Sequence, residues 1–197
     1  MFLDRPTGFD SFVDRRLERL RGVKPLDIGA SVLSALGDWG LVWFLIAIAR
    51  SRDPVARRGA LRAVVFTGAL APLVNVLVKH YAGRSRPPRS APGQMTSPAR
   101  LVRSPRSSSF PSGHTLAACC ATTLLADAGS RRWTLVVLSA GIAWSRVHLR
   151  HHHATDVIGG ALIGTAMGLA GRWVWPLAPR QGTLPRTSPS PTPILQG

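Results

Sequence analysis

Tyrosine occurs once in this chain, lysine only at Lys24 and Lys79, and cysteine only as the neighbours Cys119 and Cys120. Adjacent cysteines very rarely pair with each other, so there is no disulfide framework, and the two thiols read as small apolar filler inside a helix. Acidic residues are also scarce, with 9 Asp and Glu against 25 Lys and Arg and a formal net charge of +16. Such an imbalance asks for an anionic partner, whether nucleic acid, anionic lipid headgroups or a phosphorylated substrate. A continuous basic stripe is missing too: apolar stretches separate the basic residues, which argues against nucleic acid. Met1 to Lys24 has no early apolar run and carries acidic residues, so it does not read as a cleavable signal peptide.

What is abundant is apolar sequence in blocks. Gly29 to Ala49, Gly59 to Val78, Pro111 to Ala128, Trp133 to Leu149 and Thr155 to Trp175 are separated by loops rich in Arg, Pro and Ser. A bilayer span needs roughly 17 to 25 residues, and all five segments qualify. Ahead of them Phe9, Phe12, Val13, Leu17 and Leu20 recur at helical spacing, while Arg15, Arg16, Glu18, Arg19 and Arg21 take other faces. This reads as an amphipathic helix on the membrane surface, with a cap packed on the loops as the alternative. The expected fold is all-α, an integral membrane helical bundle of about five transmembrane helices plus an N-terminal amphipathic interfacial helix. It divides into an N-terminal segment 1–28, a membrane domain 29–178 and a disordered Pro-rich tail 179–197.

Three features inside the segments carry local expectations. Asp38 interrupts the first, and a carboxylate at mid-bilayer costs roughly 2.5 to 3.5 kcal/mol, so it should face other helices or lie near an interface. Pro72 should bend the second. Gly160, Gly164 and Gly168 repeat every four residues in the fifth, a pattern that lets helix backbones approach closely in lipid. The connection from Gly83 to Phe110, rich in Pro, Ser and Arg, reads as a mobile loop over the bundle mouth. Gating, headgroup gripping and solvated slack all remain open for it.

Chemistry is concentrated in three fragments. The first is Lys79, six residues, then Arg86-Pro87; the second is Pro111-Ser112-Gly113-His114; the third is Ser145-Arg146, five residues, His152, three residues, Asp156. His152 and Asp156 are four apart, which stacks them on one helix face, and a carboxylate there fixes the imidazole tautomer and leaves the other nitrogen free to attack phosphorus. Pro111 to His114 opens an apolar helix whose free N–H groups form an anion site. Ser112 adds a hydroxyl, Gly113 permits close approach, and His114 can protonate a leaving oxygen. Lys79, Arg86 and Arg146 supply positive charge, the arginines as forks for two phosphate oxygens. Arg84 and Arg89 read as cations snorkelling from helix ends and stay outside the set. The crowding of His148, His151, His152 and His153 raises a metal site, but Asp156 is the only nearby acid and no His-Glu-x-x-His pattern occurs, so no metal is assigned. An up-and-down bundle puts all three fragments at one membrane face.

In these residues the chain resembles the type 2 phosphatidic acid phosphatase superfamily, which includes bacterial lipid phosphatases, glucose-6-phosphatase and vanadium haloperoxidases. The resemblance runs from Lys79 to Asp156 and covers every defining position of the three signatures. It implies that His152 is a nucleophile forming a phosphohistidine, that Asp156 orients it, and that His114 is the general acid. Lys79, Arg86, Ser112, Gly113 and Arg146 would bind the phosphoryl group, with no metal or other cofactor. Spacing selects His152 from the His151–His153 triplet. Bacterial lipid relatives usually have six spans, whereas here the surface helix around Phe12 stands in place of the first. The implied function is a multi-pass cell-membrane phosphatase acting on a lipid phosphate or diphosphate. Candidate substrates are polyprenyl diphosphate, phosphatidic acid, phosphatidylglycerol phosphate and a polyprenyl phosphoryl sugar phosphate. A catalytically silent membrane scaffold and a haloperoxidase-like enzyme are the competing readings. Lys and Arg are spread too evenly over the two faces for the positive-inside rule to orient the site, and the oligomeric state is not legible.

Overall fold

Thr7 starts the first helix with a capping box, its hydroxyl accepting from the Asp10 N–H while the Asp10 carboxylate accepts from the Thr7 N–H. The computed structural model describes residues 6–88, 107–126 and 131–177. Among them all regular structure is helical: α1 (Gly8–Glu18), α2 (Lys24–Gly37), a 3₁₀ turn (Asp38–Gly40), α3 (Leu41–Arg50), α4 (Pro54–Val65), a π-helical turn (Phe66–Leu70), α5 (Ala71–Ala82), α6 (Gly113–Leu125), α7 (Arg131–His148) and α8 (Ala154–Val174). Most of the expected mobile loop, and the tail 179–197, lie outside the described residues.

Each apolar segment is helical, but the segments are unequal as membrane crossers. Pro54–Ala82, 29 residues long, and Ala154–Val174, 21 residues, are long and apolar enough by themselves. The first segment is a broken pair: α2 and α3 meet at 65° across the Asp38–Gly40 turn, where Gly40 takes the left-handed conformation at φ +70°. Helix α6 has 13 residues, about 20 Å against a hydrocarbon core of about 30 Å. It is sheathed by other helices, so it needs no lipid-facing length of its own. The outer surface carries Leu45, Ile48, Leu73, Val76, Val137, Leu162, Leu169 and Trp173 in exposed positions, the arrangement that lipid, not water, accommodates.

Pro72 lies in the second segment just after a π-helical turn. Its ring would clash with the carbonyl of residue 68, and the π-helical turn over Phe66–Leu70 absorbs that misfit inside one continuous 29-residue helix.

The core is built from small side chains around α6. Ala60, Ala63, Ala118, Cys120 and Ala121 pack with Trp43, Leu124, Leu125 and Ile142. Cys120 is apolar filler there, as its sequence context suggested. The glycine repeat of α8 lies flat against the α6 backbone. A Cβ on Gly160 would stand 2.6 Å from the Ser112 carbonyl oxygen, one on Gly164 2.2 Å from that of Leu116, and one on Gly168 2.5 Å from Thr123 Cβ. Backbone cannot yield as a side-chain tip can. Gly164→Leu is therefore expected to lower Tm and turnover together, by at least the 1 to 3 kcal/mol typical of overpacking. A purified variant with wild-type Tm and turnover would show that this face does not set the helix spacing.

Helix α1 unites the two readings its sequence allowed. Phe9 and Phe12 remain about half exposed, while Asp10 is buried against the amino terminus of α8.

Candidate active site

The α6–α8 contact positions two of the three fragments relative to each other. Ser112 N–H donates to the Asp156 carbonyl at 3.0 Å, tying the start of α6 to the first turn of α8. Phe110 packs so closely on Gly159 that a Cβ there would fall 2.3 Å from the ring. Ser112 is buried and accepts at its hydroxyl from Thr115 Oγ1 at 3.1 Å, and its backbone serves as the N-cap of α6. A Cβ on Gly113 would meet Asn75 of α5 at 3.0 Å; one helical turn further along α5 is Lys79.

The connection from α7 to α8 is a tight turn folded over one carbonyl. The amides of His151 and His152 both donate to the Arg146 carbonyl, at 3.0 and 3.1 Å, and Arg150 takes φ 54°, an uncommon conformation for a side-chain-bearing residue. This wraps the turn around the base of Arg146 and aims His152 inward. His152 Nδ1 lies 2.6 Å from the Ser109 carbonyl oxygen. A carbonyl can only accept, so Nδ1 carries the proton and Nε2 keeps its lone pair. Arg86 Nη1 stands 3.4 Å from that Nε2 and donates to the His151 carbonyl at 2.6 Å.

Asp156 is placed differently from the sequence expectation. Its carboxylate is 3.7 Å from His152 Nδ1, outside direct hydrogen-bond range, and the tautomer is set by Ser109 instead. Asp156 accepts from the His153 N–H at 2.8 Å and from Arg84 Nη1 at 2.7 Å. It therefore fixes the turn and places negative charge beside the ring.

Arg84 is the second correction. Far from snorkelling, it is 3% exposed and joins two buried carboxylates, Asp156 through Nη1 and Asp10 of α1 through Nη2, both at 2.7 Å. Asp10 in turn accepts from the Thr155 N–H and hydroxyl, each at 2.9 Å. Burial raises the Asp10 carboxyl, but hydrogen bonds from Thr155 and Thr7 hold it well below the ordinary carboxylate range. Helix α1 presents Asp14 and Glu18 on the same face, and both accept from Arg150 of the turn between α7 and α8. Arg21 adds bonds to the Val147 and His148 carbonyls at 3.0 and 2.9 Å.

The remaining cations converge. Arg146 is buried and donates to Ser34 of α2, while Lys79 is half-buried within electrostatic reach of Arg86, Arg146 and Asp156. His114 Nε2 lies 2.7 Å from Asp38 Oδ1. Asp38 thus faces another helix, as its cost in lipid required. A further pair, His148 Nε2 and Asp27 Oδ1 at 2.8 Å, is fully buried between α7 and α2 and holds those helices together. Among the described residues no group of three or more His, Cys, Asp or Glu could hold a metal.

Burial pushes His152 down to about 3, against the opposing pull of Asp156 and with the help of Arg146 and Arg86. His151 falls to about 2, again through burial first and then Arg146. Both rings are neutral at neutral pH. The unfolded chain protonates these rings near the ordinary value of 6.5, whereas the folded chain resists until about pH 3, so stability is lost as pH falls through that window. The Tm of ligand-free protein should drop between about pH 6.5 and about pH 3, and His152→Asn should flatten the slope. An identical slope in the variant would remove His152 from this linkage.

The sequence model of the PAP2 superfamily matches residues 60–180. No curated protein matches the chain. The crystal structure of a transmembrane PAP2-type phosphatidylglycerolphosphate phosphatase from Bacillus subtilis is similar, with a TM-score of 0.61 at 22% sequence identity, over 85% of this chain and 87% of that one. The crystal structure of Aquifex aeolicus LpxE is also similar, with a TM-score of 0.64 at 21% identity, over 86% of this chain and 98% of that one. At these identities the likeness is one of fold.

Proposed function

Because this chain belongs to the PAP2 superfamily, we propose that it is a membrane phosphatase that hydrolyses a lipid phosphate or diphosphate through a phosphohistidine on His152. One observation carries the reading: a buried, neutral imidazole whose unprotonated Nε2 faces the Arg86 guanidinium at 3.4 Å. Lys79, Arg86 and Arg146, with the Ser112 hydroxyl and the Gly113 amide, hold the phosphoryl group in the position that Nε2 attacks. The P–N bond forms as the P–O bond to the lipid breaks. Asp156, charged and 3.7 Å from the ring, stabilises the positive charge that His152 then carries. His114 gives a proton to the departing oxygen. In the second step water attacks phosphorus, His114 recovers the proton, and the electron pair of the P–N bond returns to Nε2.

A lipid substrate suits the apolar outer surface, because its headgroup can enter the polar site while the chain stays in the bilayer. The solved neighbours include a phosphatidylglycerolphosphate phosphatase, which puts phosphatidylglycerol phosphate beside phosphatidic acid and polyprenyl phosphates as substrates to try. The deciding assay is phosphate release in detergent across that panel, in excess EDTA. Activity should persist with the chelator, since fixed cations and helix-end amides do the electrostatic work. Loss in EDTA with recovery on adding a divalent ion would overturn the mechanism, and no release from any lipid phosphate would overturn the substrate class.

A further inference from the structure

The mechanism asks His114 to deliver a proton, yet the PAP2 motif leaves that imidazole without a partner. The fold supplies one from outside the family match, from a residue at the break between α2 and α3. Asp38 Oδ1 accepts from His114 Nε2 at 2.7 Å. Gly37, just before it, lies so close to the ring that a Cβ would stand 2.8 Å from His114 Cδ2. The chain thus both makes room for the imidazole and places a carboxylate on its edge, and it bends by 65° at that point. On the preceding turns of α2, Ser34 accepts from Arg146 and Asp27 accepts from His148. Asp27, Ser31, Ser34 and Asp38 therefore form one polar stripe, and its last member lies at the general acid.

We propose that Asp38 is the positioning partner of His114, forming a second His–Asp pair that orients the proton donor for the leaving oxygen. The proposal rests on the phosphatase reading above. With Nε2–H committed to Asp38, the proton passed to the leaving oxygen comes from Nδ1. As the P–O bond breaks, that oxygen takes the Nδ1 proton, and the ring becomes neutral while keeping its Nε2–H on Asp38. In the second step water gives a proton back to Nδ1. The carboxylate stabilises the imidazolium that exists before the first transfer and forms again after the second. Asp38 meets the ring from the break between α2 and α3, on the same residue that Arg146 and Lys79 approach electrostatically.

A general acid matters most when the departing oxygen is a poor leaving group. Phenyl phosphate and para-nitrophenyl phosphate form a soluble pair that differs in this respect and does not depend on which lipid is the substrate. His114→Ala should lower kcat/KM on phenyl phosphate by about 10² to 10⁴-fold and on para-nitrophenyl phosphate by much less. Asp38→Asn should show the same asymmetry at smaller size, about 10 to 100-fold on phenyl phosphate, as expected of a partner acting through the acid. Asp38→Glu should recover part of the loss. In the His114→Ala background, Asp38→Asn should add nothing. Inhibition by inorganic phosphate should be unchanged in Asp38→Asn, which separates positioning from phosphate binding.

Equal losses on both aryl phosphates, or an additive effect with His114→Ala, would overturn the proposal. If wild-type protein releases phosphate from aryl phosphates but from no lipid, the substrate class fails while this test still decides Asp38. If it hydrolyses neither, histidine ¹⁵N spectra decide the pairing. His114 should hold its proton on Nε2 in wild type and lose that preference in Asp38→Asn; an unchanged spectrum would overturn the pairing.

Discussion

His152→Ala is expected to reduce phosphate release by about 10⁴-fold or more while leaving the bundle folded. The size follows from its place in the proposed mechanism: its Nε2 forms the covalent bond to phosphorus, and the Ser109 carbonyl holds the far side of the ring. The bundle should survive because the ring sits in a turn whose path is set by backbone bonds to the Arg146 carbonyl, which alanine retains. The flanking histidines provide the control. His153 is the N-cap residue of α8 and only partly buried, and His151 lends its carbonyl to Arg86, a bond that alanine keeps. Both alanine variants should retain far more activity. If His153→Ala abolishes turnover and His152→Ala does not, the nucleophile is misassigned.

Arg84→Met should be nearly as damaging, by a different route. The variant leaves Asp10 and Asp156 buried without their shared cation, and breaking a buried ion pair from one side costs about 3 to 5 kcal/mol. Methionine approximates the length of the side chain, so the loss comes from charge more than from a cavity. Both Tm and kcat should collapse, because Asp156 is also what ties the His153 amide and the turn that carries His152. Asp10→Asn combined with Arg84→Met should recover some of the stability, since one orphaned carboxylate is then neutral. Wild-type Tm in Arg84→Met would mean that the Asp10–Arg84–Asp156 chain carries no stabilising energy.

The contrast between these two residues shows what the sequence could reveal. His152 was legible because the nucleophile, carboxylate and cations that the proposed mechanism calls for are particular residue types at helix-compatible spacings. Arg84 was not legible: its partners lie at positions 10 and 156, and only the folded meeting of α1 with α8 brings them together. Ser109 escaped for another reason, since it acts through its backbone carbonyl, a group every residue has. The α2 stripe was available in principle, as Asp27, Ser31, Ser34 and Asp38 recur at helical spacing within an apolar segment. Asp38 alone drew notice, as a cost to be hidden and not as the end of a polar face. Helix positions followed closely from hydropathy, whereas the break in the first segment did not, because Gly37 and Gly40 mark it only once His114 is known to lie against it.

The clasp between α1 and the start of α8 also fixes the order in which activity can arise during synthesis. Asp10 leaves the ribosome early, and its partner Thr155 follows 145 residues later. A nascent chain that has inserted everything through α7 already holds Lys79, Arg86, His114 and Arg146, yet has neither His152 nor the residue that locks α1 in place. The proposed site is thus complete only when α8 has formed and closed on α1. A fusion or tag that draws α1 away from the bundle undoes that closure in the mature protein while leaving every signature residue intact.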